Sequence, residues 1–271
     1  MTASVALHLV ALALYLAAAV VYGANLSLKH HGHARRGRVL LALAVAVHTA
    51  AIGAVCVLTH RSPIATAFGS LSTTAWAIGI ACLVVEASGR VPVMGALAAP
   101  LCCLLVFGGL LRPGPDLRMS RELQNSVVSV HVLLVLVSFA VFVLAGCCAA
   151  FYLWQYRLLR RRPHPHGLFR LLPPLDTLDT LAFRLVAFGL PLLSLGLVLG
   201  IARAASGGLE GAWKQDLHTL VSYALWILYA GYLAGRNTAG LRGTRGCYVL
   251  IAGVVVSLAL FVLPTVTHRF S

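Results

Sequence analysis

The sequence predicts an all-α polytopic membrane protein, a bundle of about eight transmembrane helices forming a single domain over residues 1–271. Apolar residues make up 60% of the 271 residues, charged residues make up 10%, and the mean hydropathy is +0.91. A soluble domain could not bury this much apolar surface. The apolar residues also form repeated runs long enough to cross a hydrocarbon layer about 30 Å thick, and short polar segments separate the runs.

Eight runs are interpreted as membrane spans. The first has no basic residue before its apolar run and no small-residue cleavage pattern after it, which favours a helix over a signal peptide. The predicted spans are Val5–Tyr22, Val39–Thr59, Ile64–Val85, Val93–Leu111, Val127–Tyr156, Leu181–Ala204, Leu217–Leu233 and Cys247–Leu263.

The Lys and Arg residues predict the orientation. The first, third, fifth and seventh loops contain 13 of the 21 basic residues, the opposite side contains 7, and Arg184 lies within the sixth span. Because loops rich in Lys and Arg remain cytoplasmic, both termini are predicted on the outer side. The protein is expected in the plasma (inner) membrane as a multi-pass protein.

The composition and motifs exclude several function classes. The net charge is +14, but the basic residues lie in loops and form no single basic and aromatic face, so the expected contact is membrane lipid and not nucleic acid. The sequence contains no P-loop, G-x-S-x-G, H-E-x-x-H or C-x-x-C motif, and adjacent cysteines such as Cys102 and Cys103 do not indicate a disulfide framework. We therefore expect neither an enzyme nor a c-type cytochrome.

The histidines suggest a function. His48 lies nine residues into the second span, about 14 Å deep, where an imidazole needs a partner. His131 lies about one turn inside the outer end of the fifth span. Four more histidines are predicted at or near outer helix ends, so one face gathers up to five imidazoles: His8, His60, His218 and His268 join His131.

These histidines allow different interpretations. Two imidazoles in a helical bundle can ligate haem iron from opposite faces of the macrocycle. The same rings could instead be hydrogen-bonded structural residues, parts of a proton relay or substrate contacts, and spacing alone leaves these alternatives open. Gly196 and Gly200, spaced four apart, predict close helix packing.

Two blocks of the sequence resemble the cytochrome c assembly (CcsA/HemX-like) family of membrane proteins. In the first block His131-Val132 is followed by Ser138-Phe139-Ala140, Gly146 and Tyr152-Leu153. In the second block Leu171-Leu172-Pro173-Pro174-Leu175-Asp176, Leu178-Asp179 and Arg184 precede Trp226, Tyr229, Arg236 and Gly240-Leu241-Arg242-Gly243-Thr244-Arg245. Their order and spacing follow the family's pattern.

The resemblance implies a haem-binding protein of cytochrome c biogenesis or tetrapyrrole regulation. By position, His131 matches the family's histidine before its Trp-rich segment, His268 stands where the one after it is found, and His48 resembles a histidine of the shorter HemX-like members. Further contacts to haem are expected from Trp213, Asp216 and His218. Cytochrome c assembly or haem-synthesis proteins are the implied partners.

The chain departs from the family in its external platform. Where the assembly proteins have W-x-W-D-x-K-E, this chain has Trp213-Lys214-Gln215-Asp216-Leu217-His218, which keeps only Trp213 and Asp216. The HemX-like branch therefore fits better than a full synthetase. Two alternatives remain: a scaffold holding a soluble haem-synthesis enzyme through the basic segment Arg157–Arg170, and a small transporter with helices interrupted at Pro100 or Pro191.

Overall fold

The computed structural model describes residues 2–28, 31–59, 63–64, 66–88, 91, 94–111, 126–161, 173–206 and 217–259. Within these ranges every regular element is an α-helix, which confirms the all-α prediction. The eight helices are α1 (Thr2–Leu28), α2 (His31–Thr59), α3 (Ala67–Ala87), α4 (Gly95–Leu110), α5 (Ser126–Arg161), α6 (Leu175–Ser206), α7 (Leu217–Thr238) and α8 (Thr244–Ala259).

Each predicted span corresponds to one helix. Five helices (α1, α2, α3, α5 and α6) are long and apolar enough to cross a membrane, and α4 and α8 are shorter apolar helices. The described part of the chain is therefore that of a multi-pass membrane protein. Pro100 and Pro191 lie inside continuous helices, so neither interrupts its helix as the transporter interpretation expected.

The helices pack as two groups of four, α1–α4 and α5–α8. Within the first group, α1 and α3 each pack on α2 and α4. Within the second group, α5 and α7 each pack on α6 and α8. The contact between α3 and α5 provides most of the connection between the groups. Each helix therefore has a face that is buried against its neighbours. A polar side chain on such a face needs a hydrogen-bond partner, which another helix can provide.

The core of the second group is built on an aromatic stack. Phe142 of α5 and Tyr229 of α7 are fully buried and stacked, with ring centroids 3.9 Å apart. A Cβ atom at Gly189 would lie 2.7 Å from Phe142 Cε1, so a residue without a side chain is required where α6 passes this ring. Gly253 of α8 is packed against Tyr229 in the same way.

Candidate functional site

A buried polar cluster connects the first three helices. It consists of Tyr15 and His8 of α1, His48 of α2 and Ser72 of α3, each at most 2% exposed. The Ser72 hydroxyl lies 2.8 Å from His48 Nε2 and 3.2 Å from His8 Nε2. Tyr15 OH lies 3.2 Å from His48 Nδ1, and His8 Nδ1 lies 2.7 Å from the Ser4 carbonyl oxygen. We call these four residues the histidine cluster.

The Ser4 carbonyl sets the direction of every hydrogen bond in the histidine cluster. A carbonyl only accepts, so the neutral His8 ring carries its proton on Nδ1 and accepts at Nε2. Ser72 has a single proton and donates it to His8 Nε2, so it accepts from His48 Nε2–H. The remaining His48 nitrogen, Nδ1, accepts from the Tyr15 hydroxyl. All four ring nitrogens are therefore used, and neither histidine has a lone pair left for iron in this arrangement.

His131 has a different environment. Its ring is partly buried between α5 and α6, and Nδ1 lies 2.6 Å from the carbonyl oxygen of Gly196. Since that carbonyl accepts, the neutral ring is protonated on Nδ1 and carries its lone pair on Nε2. A hydrogen bond of this kind fixes the tautomer and orientation of a metal-binding histidine. The chemistry of His131 thus fits an axial ligand of haem iron.

The two glycines of α6 explain how the His131 ring fits against that helix. A Cβ atom at Gly200 would lie 2.7 Å from His131 Cε1, and one at Gly196 would lie 2.9 Å from Val135 Cγ2. Gly196 and Gly200 thus allow the close packing of α5 on α6 that their spacing predicts. The sequence does not predict that the space left by these glycines is occupied by the imidazole ring of His131.

The structure does not bring His48 and His131 together. The hydrogen bonds of His48 are with α1 and α3, whereas that of His131 is with α6. Within the described residues no three His, Cys, Asp or Glu side chains converge as a metal site. Trp213, Asp216 and His268, and the side chain of His218, lie outside the described residues. The shared external site of Trp213, Asp216 and His131 therefore stays a prediction.

A second set of residues missed by the sequence interpretation lies at the other end of the first group. Glu86 of α3 is fully buried, and its carboxylate accepts from Tyr22 OH at 2.7 Å, from Arg38 Nε at 3.2 Å and from the Gly95 N–H at 2.9 Å. Three donors, one each from α1, α2 and α4, thus meet at the carboxylate of α3. This cluster holds α1, α2, α3 and α4 together where the first and third loops begin.

The sequence did contain a signal for these residues. The polar residues His8, Tyr15 and Tyr22 recur every seven positions along α1, so they share one face of that helix. The face is buried along its length, from His8 to Asn25. Polar residues spaced seven apart in an apolar helix therefore indicate a face that is buried in the protein. His8, which was predicted near the outer end of its helix, lies in the same cluster as His48.

The second group has its own ion pair. Arg236 of α7 donates to Asp179 of α6 at 2.6 Å, and the Gly243 N–H donates to the same carboxylate at 3.1 Å. Arg236 also lies over the Phe183 ring, 4.8 Å from its centroid. Gly240 and Gly243 have φ angles of 60° and 66°, a conformation that favours glycine. In the second sequence block, Asp179, Arg236 and the turn before α8 thus have a structural role: they connect α6, α7 and the start of α8.

Comparison with known proteins finds relatives of this sequence. A sequence model described as "Cytochrome C assembly protein" matches residues 64–267, three quarters of the chain. The cytochrome c biogenesis protein CcsA of Guillardia theta is 24% identical over 218 residues, covering 72% of this chain and 70% of that protein. The CcsA of Prochlorococcus marinus strain MIT 9303 is 28% identical over 228 residues, covering 74% and 71%.

The matched region contains His131 but begins after His48. No solved structure matches this chain.

Proposed function

This chain belongs to the cytochrome c assembly protein family, and we propose that it acts there by binding haem through His131 and has no catalytic activity of its own. Its role in cytochrome c assembly is supported by the relatives named cytochrome c biogenesis protein CcsA. Haem supplies the macrocycle that is attached to apocytochrome c. The residues of this chain bind and orient it.

The observation that carries the proposal is the hydrogen bond from His131 Nδ1 to the Gly196 carbonyl. It orients the ring and leaves Nε2 as the only nitrogen able to ligate iron. His48 lacks such a nitrogen while the histidine cluster is intact, so we assign it a structural role. A second axial ligand would come from His218 or His268, with Trp213 and Asp216 as further contacts.

We further propose that all eight helices cross the plasma membrane, with both termini outside. His131 lies five residues after the start of α5, whose other end carries the basic residues of the fifth loop. In this orientation His131 lies near the outer surface, where an assembly partner could reach bound haem. The orientation is supported by the excess of Lys and Arg in the odd-numbered loops.

The experiment is a visible spectrum of the detergent-purified protein, alone and after addition of haem. We expect a Soret band that His131→Ala abolishes or shifts from a six-coordinate to a five-coordinate spectrum. Free imidazole should restore the six-coordinate spectrum of the variant by occupying the vacated ligand position. An unchanged spectrum in His131→Ala would contradict the ligand role.

His48→Ala is the matched control, because it also removes a membrane-embedded imidazole. We expect this variant to lose stability while keeping the position of the Soret band. If the wild-type protein binds no haem and the segment Arg157–Arg170 retains a soluble haem-synthesis enzyme in a pull-down, the scaffold alternative is favoured.

A further inference from the structure

We propose that a groove between the ends of α5 and α8 binds the phosphate group of an anionic phospholipid. On α5 it is lined by residues spaced as one helical face, and on α8 by two residues one turn apart. The groove has a volume of about 470 Å³. Its lining residues, which we call the arginine groove, are Leu153, Tyr156, Arg157, Arg160, Thr244 and Tyr248.

The two arginines of the groove have free capacity to bind an anion. Arg157 and Arg160 are exposed, and neither has a carboxylate partner among the residues that the structure describes. The sequence has no acidic residue between Arg157 and Asp176, so the following loop adds only positive charge. By contrast, Arg38 and Arg236 are each paired with a carboxylate. An unpaired guanidinium presents N–H donors in a fork that matches phosphate oxygens.

Aromatic rings position the two guanidinium groups. Arg157 Nη2 lies 3.5 Å from Tyr248 OH across the groove, and Arg160 lies over the Tyr156 ring, 6.0 Å from its centroid. These contacts are long and use few of the five donors of each guanidinium. Both guanidinium groups therefore lie at the groove with donors remaining for a ligand.

The depth of the groove indicates a lipid as the source of the phosphate. α5 has 36 residues, or about 54 Å at 1.5 Å per residue, which exceeds the thickness of the hydrocarbon layer. Its last turns therefore reach the headgroup level, where exposed Trp154 and Tyr248 are typical interfacial residues. Basic pockets between transmembrane helices at this level bind anionic headgroups.

The surface next to the groove fits the rest of a lipid molecule. Val255 lies seven residues after Tyr248, on the same face of α8, and is 61% exposed. An acyl chain can thus lie along α8 while the phosphate contacts Arg157 and Arg160. A free phosphate ion would use only the arginines and gain nothing from this apolar surface.

The test is native mass spectrometry of the full chain with phosphatidylglycerol and with phosphatidylcholine of the same acyl chains. The wild type should retain phosphatidylglycerol preferentially. Arg157→Gln/Arg160→Gln should reduce this retention roughly tenfold, because each basic residue near a headgroup adds to the attraction. Tyr248→Phe should reduce it by about twofold to threefold, since it loses only the hydroxyl beside Arg157.

Arg35→Gln/Arg36→Gln is the matched control. These arginines are adjacent and exposed at the start of α2, outside the groove, and the charge change is the same. Retention should change less than twofold in this control. An equal loss in both double variants would overturn the proposal in favour of general surface charge. Displacement of phosphatidylglycerol by inorganic phosphate at the lipid's own concentration would overturn the lipid source.

Discussion

At the scale of single residues, the histidines differ in what their ring nitrogens are free to do. The sequence predicted that His48 is buried and has a partner, because an imidazole at that depth needs one. It could not predict which partner, since Ser72 and Tyr15 come from other helices and their approach depends on how three helices rotate about their axes. His131 was predicted as a ligand on resemblance, and its contact with the Gly196 carbonyl is consistent with that role.

Ser72→Ala tests the histidine cluster. Loss of the hydroxyl leaves one nitrogen of His8 and one of His48 without a partner, and we expect a loss of stability of about 1–2 kcal/mol. Thermal unfolding in detergent measures it. Thr73→Val is the control, because the buried Thr73 hydroxyl has no hydrogen-bond partner among the described residues and its removal should be neutral or stabilising. Equal effects of the two changes would argue against the cluster.

Gly200→Ala tests the packing of His131. The new Cβ would lie 2.7 Å from the ring, so the imidazole or α6 must move, and we expect a destabilisation of about 1–3 kcal/mol in the same unfolding assay. Gly231→Ala is the matched control, since within the described residues its added Cβ meets no atom within 4 Å apart from the backbone of its own helix, and alanine favours a helix. A variant at Gly200 as stable as the wild type would show that the ring does not lie there.

At the scale of helices, hydropathy predicted where the elements lie but not where they begin and end. The structure starts α2 at His31 and α6 at Leu175, whereas the predicted spans start at Val39 and Leu181. Hydropathy identifies only the part of a helix that lies in hydrocarbon, while backbone hydrogen bonds continue through polar turns beyond it. Average hydropathy does not reveal the polar residues spaced seven apart in α1, because the helix as a whole is as apolar as the other spans.

Asp179→Asn tests whether the Asp179–Arg236 ion pair stabilises the contact between α6 and α7. Both side chains are about 10% exposed, so Asp179→Asn leaves a largely buried guanidinium without its counter-charge. We expect a loss of about 3 kcal/mol in thermal or denaturant unfolding. Asp176→Asn, an exposed position one turn earlier in α6, should cost less than about 1 kcal/mol. Similar losses at both positions would contradict a structural role for the pair.

At the scale of the whole molecule, both ion pairs lie toward the odd-numbered loops. Arg38 is the eighth residue of α2 and Asp179 is the fifth residue of α6. Glu86 and Arg236 lie in the last turns of α3 and α7. If every helix crosses, these loops share one side, which is also the side of the arginine groove. In that case the two ion pairs and the proposed lipid site share the side that the Lys and Arg count predicts as cytoplasmic.

The predicted orientation places the C-terminus outside and the fifth loop in the cytoplasm. A phosphatase reporter fused after Ser271 should be active outside the cytoplasm, and a fluorescent protein inserted near Pro165 should fold inside it, because the odd-numbered loops hold 13 basic residues against 7. The reverse pattern would contradict the orientation. Two cytoplasmic signals would show that one helix after the fifth loop does not cross.

In that case we expect α8 to be the helix that does not cross the membrane. Its 16 described residues extend about 24 Å, short of the hydrocarbon thickness of about 30 Å, although the apolar sequence continues to Leu263. A third reporter, placed in the seventh loop near Arg242, shows whether α8 is the helix that does not cross. It should be cytoplasmic in the predicted topology, and the reporter after Ser271 should then differ from it only if α8 crosses the membrane.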